Sequence, residues 1–284
     1  MEQSGGSVML TRFTKSLVLA ASILAPTIGT ISPAHAGIGD LLVAPTRIVL
    51  DGRRGTEIIL NNIGEEEATY RVSIEFRRMT KAGDLEDVAT PNADELAAQS
   101  MILYAPRRVT LPPRQPQAIR ISARAPEGMA DGEYRAHLLF RAVPKPRPVT
   151  KPGEEKPKGV SISLTPIYGV TIPVFVRLGN LSATAGIADV QLTKFEGKPA
   201  IGFDLSRAGD RSTLGEVRIL KPGVTDPIAV LRGVAVYKEV ASRRVTVPIA
   251  DKYTGSLSGP VTVQYIGSAE EGGRMLAETQ AVLR

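Results

Sequence analysis

Residues 159–177, GVSISLTPIYGVTIPVFVR, constrain the fold more than any other stretch. Every even position from 160 to 176 is bulky and apolar: Val160, Ile162, Leu164, Pro166, Tyr168, Val170, Ile172, Val174 and Val176. The odd positions are mostly polar or small, with Ile167, Pro173 and Phe175 as exceptions. Alternation with period two predicts a β-strand. Strands usually run about 3–10 residues, whereas this run, at about 3.3 Å per residue, would span roughly 55 Å. Its two prolines are incompatible with the middle of a sheet. The chain therefore contains a strand that is overlong, apolar on one face and fit only for an edge.

The same alternation recurs along the chain. Tyr70-Val72-Ile74-Phe76 face one way while Arg71, Ser73, Glu75 and Arg77 face the other. Ile119-Ile121-Ala123, Tyr134-Ala136-Leu138-Phe140, Ile201-Phe203-Leu205, Val217-Ile219, Val234-Val236, Val245-Val247-Ile249 and Val261-Val263-Tyr265 repeat it. Turn clusters such as Asp51-Gly52, Asn61-Asn62, Pro112-Pro113 and Asp131-Gly132 separate these runs. Only PNADELAAQS (91–100) reads as helix, with Asn92 and Glu95 at capping-box spacing. Many short alternating strands imply an all-β chain of antiparallel sandwiches. A seam near Leu178-Gly179-Asn180 leaves about seven strands on each side, enough for one immunoglobulin-like sandwich apiece. The expected division is a domain at 37–178 and another at 179–284. Between 143 and 159 the chain reads VPKPRPVTKPGEEKPKG, too rich in proline and lysine to build a core, and a mobile loop is expected there.

The first 36 residues combine Arg12 and Lys15, an apolar run Leu17–Leu24 and a closing Ala34-His35-Ala36. That order describes a secretory signal peptide cleaved after Ala36. The apolar run is too short for a membrane anchor, which takes about 20 residues, so stable membrane insertion is not expected. Cysteine is absent, so neither disulfides nor thiol chemistry is available. The formal charge is +6 for the whole chain. Without tryptophan, and without basic residues interleaved with aromatics, that charge does not read as a nucleic-acid surface. Solubility or an acidic protein partner is the plainer reading in an exported chain.

Catalytic chemistry has little to stand on. After the signal peptide there is one histidine, His137, on the polar face of its strand, which reads as a surface or rim residue. No metal-ligand pair, phosphate loop or nucleophile elbow occurs. The acidic clusters Asp84, Glu86, Asp87 and Glu65–Glu67 fall in turn-like, solvated stretches. The expectation is no enzyme, no cofactor and no metal.

Several stretches, in order, resemble one family. LLVAPTRIVLDG (41–52), EIILNNIGEEEATYRVSIEF (57–76), APRRVTLPPRQPQAIRIS (105–122), DGEYRAHLLFRAVP (131–144) and IPVFVR (172–177) are similar to the first-domain strands of the periplasmic pilus-assembly chaperones, PapD-like. The resemblance covers about 37–180 and is looser beyond. It implies two immunoglobulin-like sandwiches set at an angle, like a boomerang. It also implies a chaperone that donates its edge strand, about residues 160–170, to pilin-type subunits whose own fold lacks a strand. Matching backward from Arg177 puts the donated side chains at Ile162, Leu164, Pro166, Tyr168 and Val170. Arg47 matches an arginine that anchors the subunit's C-terminal carboxylate, a pairing suited to a guanidinium. The family's second anchor, a lysine, falls at Pro173, a departure from the pattern. Glu133 and Arg177, with Asp251 as a third member, match an ion pair between the domains. Pilus or fibre subunits and an outer-membrane usher are the implied partners. Two rival readings are a binding module for a stable protein or glycan, with 160–168 folded back, and a hydrolase using loop carboxylates.

Overall fold

The structure, a computed structural model, describes residues 40–145, 166–269 and 272–284. The expected signal peptide, residues 146–159 of the expected loop and the expected donor positions Ile162 and Leu164 lie outside the described residues.

The predicted alternation resolves into two sandwiches. In the first, a four-stranded sheet runs β1 (Leu41–Ala44), β3 (Thr56–Asn62), β9 (Pro116–Ala123), β7 (Ile102–Ala105). It faces a five-stranded sheet of order β2 (Ile48–Leu50), β11 (Gly169–Leu178), β10 (Gly132–Val143), β4 (Ala68–Glu75), β8 (Arg108–Leu111). The first strand changes sheets at Pro45-Thr46, so β1 closes one sheet and β2 the other. In the second sandwich a three-stranded sheet, β12 (Ala183–Phe195), β13 (Lys198–Gly209), β16 (Ser242–Pro248), is joined by a four-stranded one. That sheet has the order β15 (Ala229–Val236), β14 (Thr213–Leu220), β17 (Gly259–Gly267), β18 (Met275–Leu283). A small hairpin, β5 (Arg77–Met79) and β6 (Leu85–Asp87), and the helix α1 (Ala93–Met101) complete the first half. The Asn92–Glu95 capping box is formed in both directions, satisfying two backbone N–H groups at the helix start.

Each sandwich closes on its own apolar cluster. The alternating residues named from the sequence supply most of both: Tyr70, Val72, Ile119, Ile121, Tyr134, Leu138 and Phe140 in the first, Ile201, Phe203, Leu205, Val217, Ile219, Val245, Val263 and Tyr265 in the second. β11 belongs to both cores. Ile172, Val174 and Val176 point into the first. Phe175, on the opposite face, is fully buried in the second. That is why Phe175 breaks the alternation of its strand. Met79, on the β5 hairpin, enters the second core in the same way. Gly179 follows β11 with φ +80, and a Cβ there would lie 2.1 Å from the Asp131 carboxylate, so the connector between the sandwiches requires glycine.

Candidate functional site

β11 lies next to last in its sheet, and its outer neighbour is short. β2 pairs in parallel with Val174–Val176 and no further. On the inner side β10 pairs with β11 throughout, from Leu178 opposite Gly132 to Gly169 opposite Arg141. Ala142 N–H then donates to the carbonyl of Tyr168 at 2.9 Å. In an antiparallel ladder, alternate residues direct their N–H and C=O groups to opposite sides. That bond fixes the phase: even residues of β11 face β10, and odd residues face outward. From Gly169 to Pro173 the outward groups meet no strand among the described residues.

This phase accounts for the prolines. Pro173 sits at an odd position, so its missing N–H falls on the outer edge and the β10 ladder loses nothing. Pro166 is even. The next pair that would exchange ladder bonds is Pro144 with Pro166, and neither has an N–H. The hairpin therefore stops at Ala142 and Tyr168. Beyond it Pro166, Ile167 and Tyr168 are exposed, Tyr168 at 54% and Ile167 at 47%. Of the expected donor residues, Pro166 and Tyr168 stand free on the even face. Val170 is a correction: it is half-buried against the first sandwich's own core, opposite Phe140, and is not free to enter a partner.

The seam between the sandwiches is charged and closely packed. Arg177 Nε donates to Glu133 Oε2 at 2.9 Å, and the Glu133 carboxylate, 3% exposed, also accepts from Ser212 N at 3.0 Å and from Ser212 Oγ. Arg177 Nη2 reaches the Ser212 carbonyl at 3.2 Å. Asp251 has no part in this cluster. Its carboxylate is 92% exposed and lies 3.6 Å from Lys198. The third member is Ser212, whose carbonyl accepts from Arg177 as an acid would, while its N–H and hydroxyl donate to Glu133. Arg135 forks onto Glu239, with Nη1 at 2.9 Å from Oε2, and Lys238 Nζ reaches Asp94 at 2.9 Å and the Glu133 carbonyl at 3.0 Å.

Arg47 is also at this seam, and the expectation of an accessible anchor is corrected. Its three guanidinium nitrogens are buried, and the group lies 4.1 Å from the centre of the Phe175 ring. Phe175 in turn meets Tyr237 edge-on at 5.5 Å. A guanidinium packed on an aromatic face is a favourable contact, but it is not presented to a carboxylate arriving from solvent. His137 is a second correction. It is 1% exposed, not a rim residue. Glu75, opposite it on β4, accepts from Thr171 Oγ1 on β11 at 2.7 Å, a bond that bridges over the intervening β10. Neither ring nitrogen of His137 has a hydrogen-bond partner among the described residues. Burial first, then the charges of Arg135 and Arg77, lower its pKa from 6.5 to about 3. Sequence reasoning missed Phe175, Tyr237, Ser212 and Glu239. Only Phe175 carried a signal, as a bulky residue on the polar phase.

No protein-family model matches the chain, and no curated protein matches it. Among solved structures it is similar to the DraB chaperone of E. coli, at 15% identity over 86% of this chain and 96% of that one, with a TM-score of 0.44. It is similar to a chain of the complex between the SafA pilin and the SafB chaperone of Salmonella enterica, at 15% identity over 86% and 97%, with a TM-score of 0.41. It is also similar to the YadV chaperone, at 11% identity over 86% and 100%, with a TM-score of 0.44.

Proposed function

We propose that the chain is a periplasmic chaperone which captures pilin-type or fibre subunits by strand addition at the outer edge of β11. One observation carries the reading. The edge from Gly169 to Pro173 offers outward backbone groups with no strand beside them among the described residues, and the exposed, even-phase Pro166 and Tyr168 precede it. An added strand gains main-chain hydrogen bonds along the edge, while alternate side chains enter the partner's core. Ile162 and Leu164 extend the same phase in the sequence. The two domains, 37–178 and 179–284, serve as a rigid frame for that edge. Delivery to an outer-membrane usher, with release when another subunit's extension replaces the donated strand, follows from the resemblance. No chemistry is involved.

Thr171→Pro tests this. It removes one outward N–H and leaves the ladder to β10 intact. Thr171→Val, which keeps the N–H and loses only the hydroxyl bond to Glu75, is the control. Co-expressed in the periplasm with a pilin-type subunit lacking its last strand, the wild type and Thr171→Val should preserve the subunit. Thr171→Pro should preserve about tenfold less, the effect of roughly one hydrogen bond with its desolvation, while melting close to the wild type. Equal survival of the subunit with Thr171→Pro, or without the chaperone, would sink strand donation and favour a module that binds a stable protein or glycan.

A further inference from the structure

Three arginines stand in one row across the exposed face of the five-stranded sheet. Arg108 on β8 is opposite Arg71 on β4, and Arg71 is opposite Arg141 on β10. All three are exposed, and none makes an ion pair or side-chain hydrogen bond among the described residues. Like charges directly opposite one another on a sheet are destabilising. A row of three without a counter-charge among the described residues works against the fold and suits an anion supplied from outside.

The row ends at the open edge. Arg141 is opposite Gly169, the first residue of β11. Glycine contributes no side chain, so the surface beyond Arg141 is bare at this point, and a Cβ on Gly169 would lie 2.9 Å from Leu139 Cδ1. Repulsion from Arg71 on the inner side favours Arg141 conformers that lean over this gap. Gly169 also directs its own N–H and C=O outward, because Tyr168 faces β10. A strand added at the edge would place one residue beside Gly169, on the same face, two strand spacings or about 10 Å from Arg141. An acidic side chain there meets a guanidinium extended toward it across the glycine.

We infer that Arg141 selects partners whose added strand carries an acidic residue beside Gly169, on the face turned away from the partner's core. The inference rests on the strand-addition reading. It makes the apolar phase of the edge the source of affinity and the polar phase a source of choice among subunits.

The test uses the full mature chain and synthetic peptides of about ten residues that alternate valine with a second residue: threonine, glutamate or lysine. Binding is read by fluorescence anisotropy at low salt, and strand addition by exchange protection of the Thr171 amide. The wild type should bind the glutamate peptide about fivefold more tightly than the lysine peptide. Arg141→Gln should remove most of that preference and leave the threonine peptide unchanged. Arg108→Gln, with the same loss of net charge two strands further away, should leave the preference standing. Equal binding of the glutamate and lysine peptides, or equal loss with Arg141→Gln and Arg108→Gln, would overturn the selective role of Arg141 while strand addition survives. If no peptide binds and the Thr171 amide stays unprotected, the strand-addition reading fails and takes this inference with it.

Discussion

Burial holds His137 neutral, since a charged imidazole 1% exposed would lose its hydration. Arg135 and Arg77 oppose its protonation further, and Glu95 pulls weakly the other way. In the unfolded chain the same side chain titrates near 6.5. Between about 3 and 6.5 the unfolded state therefore binds a proton that the folded state refuses. Stability is fully present above 6.5 and declines as the pH falls, by at most about 1.4 kcal/mol per pH unit from this group. His137→Gln should lose about 2–3 kcal/mol less than the wild type between pH 6.5 and 4.5. Urea unfolding at the two pH values measures it. Identical losses in both proteins would mean that His137 is charged when folded. Arg47, read as a receptor for a carboxylate, is packed against Phe175 instead.

At the scale of the element, β11 is shaped by where its N–H groups are missing. Pro173 leaves the ladder to β10 whole and shortens the set of donors on the open side. Continued in register, the hairpin would next set Pro144 opposite Pro166. Two absent donors in one pair end the ladder cleanly and leave Ile167 and Tyr168 exposed. Replacing both, Pro144→Ala with Pro166→Ala, restores the donors and should extend β10 and β11 by one pair. Hydrogen exchange should then show new protection at residues 144 and 166. If both amides exchange like open chain, the prolines are not what stops the hairpin.

At the scale of the whole molecule, the second sandwich is held to the first through β11 and the charged seam. Phe175 buries its ring in the second core from a strand of the first. Glu133 ties Arg177, on the next strand, to Ser212 at the entrance of β14. Removing one partner of a buried pair leaves the other charge uncompensated, at a cost of about 3–5 kcal/mol. Glu133→Ala should therefore destabilise the chain by roughly that amount, seen as a lower urea midpoint. Asp251→Ala, at an exposed pair, should change it by well under about 1 kcal/mol. Comparable effects of the two substitutions would place the third member of the cluster back at Asp251.

The alternating apolar residues were enough to determine many of the strands and most of both cores, because burial on one face of a sheet imposes period two on the sequence, and the Asn92–Glu95 spacing was enough for the helix. The strand at the end of the opening run was legible for the same reason, but the structure begins it at Gly169, ends it at Leu178 and sets it next to last in its sheet rather than at the edge. Which side of that strand lies open was not, since the phase depends on one cross-strand bond, Ala142 to Tyr168, and on the short reach of β2. The fate of the polar face was equally hidden. Glu133, Arg135, His137 and Arg177 occupy the outward phase of their strands, with Arg47 just before β2, and in one sandwich alone they would be solvated. Packing of a second sandwich against that face, and the Glu75–Thr171 bridge across it, buries several of them. Local pattern sets which residues share a face; only the tertiary fold decides what covers it.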